Sequence, residues 1–510
     1  MDKGADTTTA RGGAITHWSD RLVTVCLLGM ALFELIELHL HVPLAARIAA
    51  VLLVVFLLVG QSRLGLRERY LIALAVTATA CAFMFSDAPV ALIERGFGQA
   101  TYLAAFMLLL ALLRDGAVTS PSVLTLGRYL THRPPGQRYI AIHAGSHALG
   151  MILNFGALSL LGPLIQRGIK ADAKTNPELA QWRERRQMSA LVRGFSWIIA
   201  WSPTAVTQAL VASVVSGSKP LVMAGVGFFI ALGVVVIGWA EDRITGKRAR
   251  AQLAAHDALP RPDIEPEPFP WQAFKRFGLV CAALAGISLA LVFATGAKVV
   301  PALMLASPLV TAVWIWVQYR SRPDQTAAAM IGIRNIARNS IPAGSPEAVT
   351  LSAAGYIGIV AAGMSNAPVL ADIAGFETWP PIAVYLAVMI IVPAASNLAM
   401  PPMLTVTFMG SLYSALPDSQ LDPTLLATAL ALGWTLNLTA SPFGATALIL
   451  GRITSIAGTT LSWKWNTTFT IAAFLWAALV LGSISVAAGN TVTTLATTAS
   501  SPHHAPHGAR

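Results

Sequence analysis

The chain has 510 residues, of which 55% are hydrophobic and only 12% charged, and its mean hydropathy is +0.64. Soluble domains carry about a quarter charged residues, so polar groups are too few here to cover a water-facing surface. The net charge of +11 does not point to nucleic acid, because the basic residues lie in short loops between apolar runs rather than on one patch.

Residues 1–21 form a short polar stretch without a small-residue cleavage site, which reads as a cytoplasmic N-terminus and not a signal peptide. Apolar runs of the length needed to cross a hydrocarbon core follow at about 22–38, 43–60, 69–86 and 98–113. A mixed stretch, 114–189, contains an odd apolar segment at about 139–165. Further runs lie at about 190–215, 219–240, 274–295, 298–318 and 346–363. A second odd segment covers about 380–413, and the last runs are about 422–450 and 466–488. The pattern predicts an all-α polytopic membrane protein with about eleven crossings and two odd segments. Cys26, Cys81 and Cys281 fall inside apolar runs and read as small buried hydrophobes, so neither a disulfide set nor a metal site is expected.

Lys and Arg set the orientation. Loops 61–70, 114–138, 166–189 and 241–276 are basic, whereas loop 364–379 holds Asp372 and Glu377 and loop 414–421 holds Asp418. The N-terminus is therefore expected in the cytoplasm and the His-rich C-terminus outside, in an Ala-, Leu- and Val-rich chain that suits a bacterial inner membrane. Basic loops flank 139–165 on both sides, so that segment must enter and leave on one side. Its Gly and Ser content fits a re-entrant hairpin, tolerated at membrane depth only under protein or water cover. The Pro-rich 380–413 segment reads as a second hairpin, entering from outside; the alternative for the two segments is a pair of ordinary spans, one of them Pro-kinked. Prolines at 260, 262, 266, 268 and 270 mark 241–273 as a cytoplasmic linker between a first membrane repeat, 22–240, and a second, 274–488. Residues 489–510 read as a disordered tail, whose His503, His504 and His507 are expected to be solvated.

The two halves echo each other. Gly145-Ser146-His147-Ala148 lies in the first odd segment and Ala395-Ser396-Asn397-Leu398 in the second. After each comes an interrupted span: Trp201-Ser202-Pro203-Thr204 in the first half, and Ser441-Pro442-Phe443-Gly444-Ala445-Thr446 in the second. Proline inside an apolar run removes a backbone donor and clashes with the preceding turn. About five crossings separate the hairpins, and an odd number inverts the second motif relative to the first. Inverted repeats with broken helices are a construction of secondary transporters. Their half-helix N-termini favour anions, and their unwound carbonyls can hold Na⁺.

At these motifs the chain resembles the ion transporter superfamily, and within it the divalent anion/Na⁺ symporters for dicarboxylates and citrate. The resemblance implies two opposed hairpins with a Ser-Asn-Thr motif at each tip, a homodimer, and an elevator motion of a transport domain against a scaffold. It also implies that Ser146, His147, Ser202, Thr204, Ser396, Asn397, Ser441, Gly444 and Thr446 line one central site for substrate and coupling ion. The chain departs from the pattern at His147, in place of an amide, and at Leu398, in place of Thr. A histidine titrates near neutrality, which opens coupling to H⁺ as well as to Na⁺ and adds His143, four residues earlier, as a second relay group.

Other polar groups inside apolar runs, Asn154, Gln208, Thr405, Thr407 and Asn437, fit helix–helix hydrogen bonding as well as substrate contact. Glu34 and Glu37 lie near the outer end of the first run. No phosphate-binding loop, Gly-x-Ser-x-Gly or HExxH occurs, so neither an enzyme nor a bound cofactor is expected. The expected function is secondary transport of a small anion, a carboxylate by the resemblance. The alternatives are a cation/proton antiporter or oxyanion efflux protein on the same scaffold, and a membrane-embedded enzyme using His143 and His147. The expected partners are the substrate, membrane lipid and a second copy of the chain.

Overall fold

A computed structural model describes residues 7–173, 177–254, 267–366, 369, 370, 372, 379–414, 416 and 421–499. Among the described residues there are helices and no strands. Among these described residues, ten helices are long and apolar enough to cross a membrane. The first seven of these are α1 (Thr7–Leu40), α2 (Pro43–Val59), α3 (Leu66–Phe85), α4 (Pro89–Val118), α10 (Pro220–Ala254), α11 (Trp271–Thr295) and α12 (Val299–Gln318). The others are α14 (Ser345–Met364), α17 (Pro423–Ala440), which is extended by α18 (Ala445–Thr454), and α19 (Thr467–Ala499).

The run read as a crossing at 190–215 forms two helices, α8 (Pro177–Ser196) and α9 (Val206–Val214), separated by turns over 197–205. Neither piece qualifies alone, since α8 begins with a charged stretch and α9 has 9 residues. The stretch 114–138 contributes α5 (Pro121–Thr131), and α13 (Gln325–Asn335) follows α12. Proline opens many of these helices, at positions 43, 89, 121, 220 and 423 among others, where its missing N–H would be unsatisfied anyway. Asp422 caps α17 by accepting from the backbone N–H of Thr424 at 2.7 Å and of Leu425 at 2.9 Å.

Three boundaries differ from expectation. Helix α1 starts at Thr7, inside the stretch read as a polar terminus. Helix α10 continues to Ala254 because no proline interrupts it before Pro260, so the linker read at 241–273 opens as helix. Helix α19 likewise runs to Ala499, since the Ala- and Thr-rich sequence before Pro502 holds no proline, and the tail read from 489 is helical that far. Glu377, Asp418 and the tail histidines lie outside the described residues.

Burial sorts the helices into a centre and a rim. In Pro423–Thr454, 94% of the most apolar stretch is buried, against 17% for Leu66–Phe85 and for Trp271–Thr295. Helices α4 and α14 pack on each other near the centre. The outward faces of α2, α3, α10 and α11 carry exposed Leu, Val and Phe, the surface a hydrocarbon solvent requires.

Candidate functional site

Each odd segment is a helix–turn–helix pair. The first is α6 (Pro135–Leu153) and α7 (Gly156–Ala173), turning at Asn154 with φ 48°. The second is α15 (Pro381–Asn397) and α16 (Pro402–Ser414), turning through Ala399 with φ 63°. A positive φ is costly for a residue with a Cβ, less so for Asn. Both turns thus hold a positive-φ residue, one feature the two halves share. In the first pair, α8 packs on both arms. Gly194 faces His143 and Ser146, while Phe195 and Ile198 face Gly150. So α6 runs parallel to α8, and α7, which leads back into α8, runs antiparallel to α6.

The sequence motifs fall at unequal places on these pairs. Ser396 and Asn397 end α15, next to the turn. Ser146 and His147 lie inside α6, about two turns before Asn154. The tip position that the resemblance gave to the first motif is therefore held by Asn154-Phe155-Gly156. Both Ser-His and Asn-Phe-Gly lie among small residues, and only the backbone reversal tells them apart.

Around the first motif Ser146 and His147 are both hydrogen-bonded within the first half. Ser146 Oγ donates to the His143 carbonyl at 3.0 Å. His147 Nδ1 meets the Gly194 carbonyl at 2.9 Å, and Nε2 accepts from the Trp201 indole at 3.0 Å. The ring is therefore a neutral Nδ1–H imidazole that ties α6 to α8 and to the break. Gly194 has no room for a side chain, since a Cβ would run into His143 O and Ser146 Oγ. His143 is fully buried, tilts against Tyr139 and has no hydrogen-bond partner on either nitrogen. Ser202 and Thr204 share a 2.7 Å hydroxyl contact across the first break.

The second cluster joins the second hairpin to the second break. Ser441 Oγ donates to the Ser396 carbonyl at 2.9 Å, and Ser396 Oγ to the Met400 carbonyl at 3.1 Å. Asn397 donates to the Pro393 carbonyl at 2.8 Å and accepts from the Trp463 indole at 3.1 Å. Thr446 Oγ1 reaches back over the break to the Leu438 carbonyl at 2.5 Å. Gly444 N–H donates to the Ser441 carbonyl at 3.1 Å. Asn437, fully buried one turn before the break, has no hydrogen-bond partner for its amide oxygen or nitrogen. Among the described residues no hydrogen bond links this cluster to the first one.

What brings the halves together is a cavity of about 170 Å³. It is lined by Asn154 at the first turn, by Thr204 and Val206 where α9 starts, and by Ala445 and Ile449 where α18 starts. Arg114 of α4 and Glu347 of α14 close it. Two half-helix N-termini thus face one space, with a guanidinium opposite. Arg114 bonds Asp115 at 3.1 Å and reaches Glu347, whose side chain is half-exposed, at 3.4 Å. Its stem packs against Gly156 behind the first turn. Of the nine residues named from sequence as binding groups, Thr204 lines this cavity. Nothing in the sequence singles out Arg114 or Glu347, because each sits at a helix end among basic or polar neighbours, where a charge is ordinary. Among the described residues, no three His, Cys, Asp or Glu side chains converge as a metal site would need.

No family model and no curated protein matches the chain. Among solved structures, one similar fold is the YdaH transporter of Alcanivorax borkumensis, whose crystal structure is described as revealing an unusual topology. The identity is 14%, the match covers 83% of this chain and 98% of that one, and the TM-score is 0.51. The all-helical polytopic chain therefore shares the fold of a membrane transporter.

Proposed function

We propose that the chain is a secondary active transporter of a small anion, a carboxylate with an apolar body, driven by Na⁺ or H⁺ in the inner membrane. The observation that carries this reading is the cavity that Arg114 shares with the starts of α9 and α18. A helix N-terminus and a guanidinium both attract anions, while Phe106, Leu110 and Leu351 supply the apolar wall. An anion entering there competes with Glu347 for Arg114. The unpaired Asn437 amide oxygen, together with the carbonyls freed by the second break, supplies oxygens suited to a coupling cation.

On this reading the two helix–turn–helix pairs are re-entrant hairpins. They travel with the broken helices as a transport domain against a scaffold that includes α4 and α14, in each subunit of a homodimer. A cation/proton antiporter is less well served, because the carboxylate at the cavity, Glu347, already has Arg114 as its partner. Proteoliposome uptake of labelled mono- and dicarboxylates, with inward Na⁺ or H⁺ gradients imposed separately, tests the proposal. Gradient-dependent accumulation supports it and names the ion. Cation exchange without anion accumulation overturns it in favour of the antiporter, and gradient-driven extrusion of oxyanions overturns it in favour of an efflux protein.

A further inference from the structure

A second cavity, of about 370 Å³, lies on the face carrying the basic loops, between α8 and α10 and beside Trp465. Three guanidiniums line it, and two are already matched. Arg186 grips Asp242 through two contacts of 2.5 Å and lies over the Trp182 ring at 4.6 Å. Arg193 pairs with Glu241 at 2.9 Å, donates to Asn466 at 2.8 Å and lies over Phe469 at 4.3 Å. Both carboxylates are thereby charge-paired, Glu241 Oε2 without a hydrogen bond of its own. The third, Arg185, lines the same cavity with no ion pair or hydrogen bond among the described residues. One turn further along α8, Ser189 is 4% exposed, and its hydroxyl has no hydrogen-bond partner.

Residues four apart share a helix face, and both the exposed Arg185 and the buried Ser189 line this one cavity. The cavity carries one cation in excess of its acids. A buried hydroxyl left unpaired is unfavourable and marks a place where a ligand or water completes the bonding. A tetrahedral oxyanion accepts from both donors at once, one oxygen for the guanidinium and another for the hydroxyl.

We infer that Arg185 and Ser189 form a binding site for a phosphate group, separate from the central cavity. Trp182 and Trp465 are on its wall, and tryptophan is the residue type enriched at membrane–water interfaces, where lipid phosphodiesters lie. A soluble phosphate presents the same chemistry. Arg193 precedes Gly194, whose carbonyl meets His147, so a ligand on this stretch of α8 also steadies the first hairpin.

The test uses the purified full chain in detergent. Binding of phosphatidylglycerol is counted by native mass spectrometry, with phosphatidylcholine as the uncharged control, and inorganic phosphate is titrated against thermal unfolding. The variants are Arg185→Gln, Ser189→Ala, Arg185→Lys and, as a control just beyond the end of α12, Arg320→Gln. We expect at least one phosphate ligand to bind wild type. Arg185→Gln should weaken it about tenfold or more, as for one charge-assisted hydrogen bond, Ser189→Ala should weaken it less, and Arg320→Gln should leave it unchanged. Arg185→Lys, which keeps the charge, should restore part of the affinity. Response to the lipid alone names a headgroup, and response to inorganic phosphate names a soluble anion. Equal affinity of wild type and Arg185→Gln, or no binding of either ligand to wild type, overturns the site.

Discussion

Trp201 donates its indole N–H to Nε2 of His147 at 3.0 Å and so fixes the ring as a neutral acceptor between hairpin and break. Trp463 does the same for Asn397 in the second half, at 3.1 Å. The residue after serine in each sequence motif is thus an indole acceptor, although the two tryptophans lie on opposite sides of their Ser-Pro breaks. Replacing Trp201 by Phe leaves the imidazole acceptor without its donor. The expected loss is about 1 kcal/mol, seen as a fall of about 1 °C in the unfolding midpoint of the purified protein. A midpoint identical to wild type would show that the bond contributes nothing.

Arg114 and Glu347 should have opposite effects on anion affinity. Arg114→Gln removes the guanidinium from the cavity and should raise the apparent Kd about tenfold or more. Glu347→Gln removes the carboxylate that competes for it and should tighten binding. Substrate titration of both variants by calorimetry checks the signs, and a matching loss in both would mean that Glu347 supports the site instead of opposing the ligand.

Cysteine scanning maps the cavity. A thiol at Asn154 or Thr204 should be shielded from a maleimide by saturating substrate, because both positions line the space between the broken helices. A thiol at Leu398, 83% exposed beside the second turn, should react at the same rate with and without substrate. Protection at Leu398 and none at Thr204 would move the binding site to the other hairpin.

Gly194 holds α8 against α6. Gly194→Ala forces its methyl into the His143 carbonyl and the Ser146 hydroxyl, and overpacking of this kind costs about 1–3 kcal/mol. At Gly278 in α11 a Cβ would meet nothing within 4 Å. Gly278→Ala should therefore be neutral or stabilising by up to about 1 kcal/mol, the helix-propensity difference. Paired thermal unfolding curves give the comparison. A stable Gly194→Ala protein would mean that the two helices separate freely.

If the Asn437 amide oxygen holds a coupling cation, wild type should unfold at a higher temperature in Na⁺ than in choline, and Asn437→Ala should abolish that difference. If Asn437 is only an unpaired buried amide, Asn437→Leu should raise stability in both salts, since an apolar group there avoids the desolvation penalty. A sodium shift that persists in Asn437→Ala places the cation elsewhere.

Much of this architecture is legible in the chain because it follows from local physics. Twenty-residue apolar runs announce helices, proline marks their starts and breaks, and the Ser-Pro pairs at 202–203 and 441–442 interrupt their spans where expected. The ends of α10 and α19 are not legible in the same way, because polar composition resembles a linker or tail even where no breaker ends the helix. The register of the first hairpin differs from expectation by about two turns, since small residues flank both Ser146-His147 and Asn154 and the reversal is a backbone event.

The sequence by itself determined that the chain is a polytopic helical membrane protein with a duplicated hairpin-and-break pattern, because hydropathy and proline act within one segment. Only the tertiary structure decided which groups share a cavity. It brought Arg114 and Glu347 from α4 and α14 to face Thr204 and Ala445, and it set His147 against Trp201. Such meetings depend on how helices pack at long range, and no spacing along the chain encodes them.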